Sequence, residues 1–89
     1  MTRYAIGPDV AYRVIDGHVF IITPDNRQHE LAGGVELCVW RLCEAGPRTE
    51  YELVRAIMAD FEVDAADAQA DLRGFLGEMV QAGVLIHVP

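Results

Sequence analysis

The chain contains no lysine and no serine among its 89 residues, and only two cysteines. The absence of serine removes serine nucleophiles and the triad chemistry built on them. The absence of lysine leaves seven arginines against 14 acids, for a net charge of −7. No stretch approaches the roughly 20 apolar residues that a membrane helix requires. The N-terminus lacks a basic segment followed by an apolar run, the pattern of a secretory signal. A cytoplasmic protein without membrane contact is the expectation.

The two cysteines, Cys38 and Cys43, lie five residues apart in a helical pattern. Ideal helix geometry separates their Cα atoms by roughly 8–9 Å, beyond the roughly 7 Å limit for a disulfide. They read as reduced core thiols. His18, His29 and His87 share no metal-ligand spacing with one another, so no metal and no cofactor is expected. Thr2, Thr23 and Thr49 have structural readings as N-terminal arm, strand end and helix cap. Gly33-Gly34 is followed by no Lys and fits neither the Walker nor the GxGxxG spacing. Asp67 and Asp71 share a helix face, where exposed carboxylates are ordinarily solvated. Nothing here assembles a catalytic constellation, and the chain reads as a non-enzyme.

What is present is a balanced globular composition, with 52% hydrophobic and 24% charged residues. A chain of this length forms one domain with one modest core. Charge is segregated. From Thr49 onward Glu50, Glu52, Asp60, Glu62, Asp64, Asp67, Asp71 and Glu78 face only Arg55 and Arg73. A duplex binder needs a basic face to neutralise phosphates, so this half disfavours nucleic acid. It suits a protein or peptide partner, or simply a solvated surface.

Residues 1–9 read as an irregular N-terminal arm ending near Gly7-Pro8, and residues 10–89 as the folded domain. Ala11–Ile15 is β-prone. Asp16-Gly17 is a strong two-residue hairpin signal. His18–Thr23 is β-branched and aromatic, the pattern of a strand. Pro24-Asp25-Asn26-Arg27 suits a turn, and Gln28–Leu31 follows as a short polar third strand. From Val35 the apolar period becomes helical, through Val39, Trp40 and Cys43, until Gly46-Pro47. Thr49-Glu50-Tyr51-Glu52 is a capping box for a second helix, with Leu53, Val54, Ile57, Met58 and Phe61 as its stripe. Asp64 can cap a third, whose stripe is Ala68, Leu72, Phe75, Leu76, Met79 and Val80. Gly83 ends it in the position that favours a left-handed residue, and Val84–Val88 is a candidate final strand. The fold class is α+β: a three-stranded antiparallel sheet followed by three helices, β-β-β-α-α-α.

The third strand is then a sheet edge, and its unpaired backbone groups could accept an extended peptide as a further strand. The third helix could form the opposite wall, through Arg73, Leu76, Gly77 and Val80. Gly77 inside a helix costs about 1 kcal/mol relative to Ala, which implies close packing over it, either by a ligand or by another helix of the fold. Leu76 and Val80 fit the groove or the core. Arg73 could meet a partner carboxylate, or Glu50, Glu52 or Asp71.

Several short motifs in order resemble the PqqD family, small chaperones of pyrroloquinoline quinone biosynthesis related to the precursor-recognition elements of ribosomally made, modified peptides (RiPPs). They are Trp40-Arg41-Leu42 with Gly46-Pro47-Arg48-Thr49 and Glu52-Leu53, then Phe61-Glu62-Val63-Asp64, Asp71-Leu72 with Phe75-Leu76, and Ala82-Gly83-Val84-Leu85. One junction departs from the family: Leu31 is followed by Ala32, where many relatives carry Leu-Asn. The resemblance implies a winged-helix-like fold and a precursor leader peptide docked between third strand and third helix. Gln28, His29, Glu30 and Leu31 would form one wall, and Arg73, Leu76, Gly77 and Val80 the other. It also implies a maturation enzyme as partner, a radical S-adenosylmethionine enzyme or a leader protease, to which any iron–sulfur cluster would belong. The alternatives from other classes are a winged-helix DNA-binding regulator and a structural subunit that forms a homodimer through its edge strand.

Overall fold

The computed structural model describes all residues, Met1–Pro89. The elements in chain order are β1 (Arg3–Ile6), β2 (Ala11–Ile15), β3 (His18–Ile22), β4 (Gln28–Ala32), α1 (Gly34–Ala45), β5 (Arg48–Thr49), α2 (Glu50–Asp60), α3 (Ala65–Gln81) and β6 (Leu85–Val88).

The sequence pattern sets the β2–β3–β4 meander directly. Asp16 and Gly17 adopt φ of 51° and 77°, the left-handed pair that a tight hairpin needs and that Asp-Gly supplies at little cost. The second turn is closed by Thr23 N–H donating to Arg27 O at 3.0 Å, while Asn26, at φ 65°, donates its N–H to Thr23 O at 2.8 Å. Strand alternation then divides the sheet into two faces. The inner face carries Val19, Ile21 and Leu31, all buried. It packs on α1, where Trp40 is 1% exposed. The Tyr12 ring meets Trp40 edge-on at 5.0 Å, and its hydroxyl donates to Glu44 Oε2 at 2.5 Å.

The N-terminal segment corrects the expectation of an irregular arm. Arg3–Ile6 forms β1, the centre of a second antiparallel sheet ordered β5-β1-β6. Its partners are Arg48–Thr49 on one side and Leu85–Val88 on the other. Gly7 N–H donates to Val84 O at 3.0 Å and continues the attachment. Four residues are too few for a period to be read, and the pairing that makes them a strand comes from the far end of the chain. The three-stranded sheet expected from sequence is therefore one of two.

The helices begin where the sequence places their caps. Thr49 Oγ1 accepts from Glu52 N–H at 3.1 Å, and Glu52 Oε1 accepts from Thr49 N–H at 2.9 Å. Asp64 Oδ1 accepts from Asp67 N–H at 2.9 Å and starts α3. At the end of α3 Gly83 takes φ 82°, the left-handed stop that releases the chain into β6. Gly34 opens α1 for a steric reason: a Cβ there would lie 2.5 Å from the Phe61 ring. That close approach ties the start of α1 to the end of α2. Val39, Trp40, Cys43, Leu53, Ile57, Ala68, Leu72, Leu76, Met79, Val84 and Leu85 complete one continuous core with the meander.

Both cysteines are free, Cys43 buried and Cys38 half-buried. Burial pushes the Cys43 thiol from an ordinary 9.0 up to about 11. Burial also raises Cys38, with the Asp60 carboxylate adding to the effect.

Two outcomes follow from this packing. Thr49→Ala removes the reciprocal cap and should cost about 1 kcal/mol, read as a fall of about 4–8 °C in the thermal midpoint. Cys43 binds its proton more tightly folded than unfolded, so its contribution to stability is complete below pH 9.0 and is lost as pH rises toward about 11. A Cys43→Ala variant should show a flatter decline in urea midpoint across that window, and in the wild type a thiol reagent at neutral pH should label Cys38 well before Cys43.

Candidate functional site: the β4 edge and helix α3

The meander is ordered β2-β3-β4, which leaves the outer side of β4 without a strand partner. The hydrogen-bond phase decides what that edge offers. Thr23 and Arg27 are a bonded pair, and the register continues through Ile22↔Gln28, Ile21↔His29, Phe20↔Glu30 and Val19↔Leu31. In an antiparallel ladder bonded and non-bonded pairs alternate. His29 and Leu31 therefore bond to β3, whereas Gln28, Glu30 and Ala32 turn their N–H and C=O groups to the open side. Ala32 is a rung beyond the third strand expected from sequence, Gln28–Leu31. The signal was the continued two-residue alternation from Gln28 through Glu30.

Side chains divide differently from backbone. His29 and Leu31 point to the inner face and lie opposite the buried Ile21 and Val19. Gln28 and Glu30 point outward, opposite the exposed Ile22 and Phe20. Glu30 Oε2 lies 2.6 Å from His18 Nδ1. Two buried polar atoms have no hydrogen-bond partner, His29 Nε2 and Trp40 Nε1. Both belong to the inner side of the meander, since His29 shares a cross-strand row with Ile21 and Tyr12, and Tyr12 packs on Trp40.

The residues proposed for the α3 wall are not equivalent. Leu76 is 1% exposed and belongs to the core. Val80 is half-buried, at the core margin. Around Gly77 a Cβ would meet nothing within 4 Å, so no helix of the fold packs closely over it, and α3 is bare there. Arg73 is already engaged. Its Nε and Nη2 donate to Glu50 Oε1 at 2.8 Å and Oε2 at 3.2 Å, a forked contact with the first turn of α2. The same carboxylate accepts from Gln69 Nε2 at 3.3 Å. The Arg73 hydrogen bonds hold Glu50 below the usual carboxylate range, with Gln69 helping, and Glu50 raises Arg73 in turn. Arg73 thus braces α3 against α2 instead of standing as a free cation.

No three His, Cys, Asp or Glu side chains converge in a geometry suited to a metal ion. No helix is long and apolar enough to cross a membrane. The site is one of shape and backbone polarity: an open strand edge with three outward rungs. A concavity lined by Ile15, Phe20 and Ile22 of the meander also reaches Gln28, His29 and Glu30 of β4.

Comparison with known proteins agrees with this geometry. A solved chain described as TbiB1 in complex with the TbiA(beta) leader peptide superposes with a TM-score of 0.83 at 29% sequence identity, covering 91% of this chain and 93% of that one. A winged-helix-like recognition-element fold is the architecture they share. The search of curated proteins gives no match. The sequence model of PqqD, coenzyme PQQ synthesis protein D, matches residues 38–85, from the middle of α1 to the start of β6. That match spans more than half of the chain, and the protein belongs to the PqqD family.

Proposed function

We propose that this protein is a non-catalytic peptide chaperone: it binds the leader segment of a ribosomally synthesised precursor peptide as a strand added to β4 and presents the peptide to a modifying enzyme. The observation that carries the reading is the open edge of β4, with Gln28, Glu30 and Ala32 directing backbone donors and acceptors outward. Membership of the PqqD family and likeness to a chain solved with a leader peptide support it.

In this arrangement main-chain bonds supply affinity and the side chains facing α3 supply selectivity. Leader residues opposite His29 and Leu31 turn inward and are apolar. Gly77 leaves room on α3 for the peptide backbone to come close, and Val80 offers an apolar margin. Ordering a flexible leader opposes binding, so affinity is about micromolar or somewhat tighter. Holding the leader raises the effective concentration of the remaining peptide at the enzyme. That enzyme is a radical S-adenosylmethionine maturase or a leader protease. Residues 10–89 act as the binding unit, with residues 1–9 fastened to it through β1. Two free thiols suit a reducing compartment, the cytoplasm.

Titration of isotope-labelled protein with a leader peptide encoded beside its gene should shift amides from Gln28 to Ala32 and along the exposed side of α3. Glu30→Pro removes an outward N–H and leaves the β3 ladder intact, so the variant should stay folded. Its leader affinity should drop about 3- to 10-fold, the worth of one backbone hydrogen bond. An unchanged affinity would eliminate strand addition at β4.

A further inference from the structure

The outer face of the β2–β3–β4 sheet is apolar where the solvated side of an antiparallel sheet is ordinarily polar. Ile15, Phe20 and Ile22 stand on it at 45%, 43% and 44% exposure. The register arranges the face in three rows: Ile15–His18–Ala32, Arg13–Phe20–Glu30 and Ala11–Ile22–Gln28. The rings of His18 and Phe20 stack at 6.1 Å. The middle row carries a cation at one end, an aromatic ring at the centre and a carboxylate at the other end. The ion pairs of the protein are His18–Glu30, Arg27–Asp25 and Arg73–Glu50, so Arg13 is without a carboxylate partner.

We propose that this face is the interface of a homodimer, with a second copy of the chain stacked on it about a twofold axis parallel to β3. The charges select that axis. Two sheets facing each other can be related by an in-plane twofold axis along the strands or across them. An axis across the strands places Arg13 over Arg13 and Glu30 over Glu30. An axis along the strands keeps Phe20 over Phe20 but reverses the row, so that each Arg13 meets the other copy's Glu30. It also sets Ile15 over Ala32 and keeps Ile22 over Ile22. The interface is therefore self-complementary in both charge and apolar contact. Strand addition would use the β4 edge instead of this face, so the dimer neither requires nor prevents leader binding.

Three five-residue strands present a face of only roughly 17 by 15 Å, small for a stable interface. Two copies of net charge −7 also repel each other, an effect that physiological salt screens. The dimer is accordingly weak and depends on concentration.

Sedimentation equilibrium at near-physiological salt, from about 10 µM to about 1 mM, tests the proposal. The average mass should rise from the monomer value of 9.8 kDa toward twice that value. Phe20→Glu, an exposed position whose substitution leaves the core intact, should keep the mass at the monomer value throughout. Arg13→Glu and Glu30→Arg should each weaken the dimer about fivefold or more, and the double exchange should restore it to within about twofold. A wild-type mass that stays at 9.8 kDa overturns the proposal. So does a dimer that Phe20→Glu leaves unchanged, which would place the contact at a strand edge. A double exchange no stronger than the weaker single variant overturns the Arg13–Glu30 pairing and the axis it selects.

Discussion

The packing of the meander's inner face on α1 is the contact on which the rest of the structure depends. Val19, Ile21 and Leu31 are buried against a helix whose Trp40 is itself buried under Tyr12. Burial of one face fixes the strand register, because a slip of one residue would exchange the two faces of every strand. Fixing the register also fixes the hydrogen-bond phase. Once His29 and Leu31 are committed to β3, the outward groups of β4 are those of Gln28, Glu30 and Ala32. The open edge is thus a consequence of core packing on the opposite side of the same strand.

The helical half holds that edge in place through contacts that leave it uncovered. Gly34 admits the Phe61 ring against the start of α1, so the helix directly after β4 is locked to the end of α2. Arg73 and Gln69 both grip Glu50 and brace α3 against the first turn of α2. The second sheet closes the other side of the molecule, with β1 between β5 and β6. Each brace uses residues away from β4, and the solvent side of α3 stays bare at Gly77. An unpaired strand edge is an aggregation liability unless it is short, twisted or occupied. Here it is five residues long, and in the proposed mode of leader binding a peptide strand would occupy it.

The acidic helical surface and the apolar outer sheet face lie in different parts of the fold. Among the acids from Thr49 onward Glu50 is the partner of Arg73, Glu52 closes the cap of α2 and Asp64 caps α3. The meander face instead combines Ile15, Phe20 and Ile22 with a single cation and a single carboxylate. Edge and face belong to the same three strands but expose different chemistry, backbone groups on the one and side chains on the other. A small domain can in this way offer two interaction surfaces without a second core.

Much of the molecule was legible in the sequence because its signals are local. The Asp16-Gly17 hairpin, the Thr49–Glu52 capping box, the Asp64 cap, the Gly83 stop and the apolar stripes of α2 and α3 each depend on residues a few positions apart, and backbone geometry alone fixes what they do. The motif order from Trp40 to Leu85 carried the family for the same reason. What the sequence by itself could not determine depends on distant partners. Arg3–Ile6 is a strand only because Leu85–Val88 lies beside it. Leu76 is core and Gly77 is bare because of how α3 settles on its neighbours. Arg73 had three acids within reach in sequence, and only the packing of α3 against α2 chose Glu50. The sequence determined which elements form and where they start and stop; the tertiary structure decided which of their groups remain free, since a backbone rung or a side chain is available to a ligand only when the rest of the fold has left it unpaired.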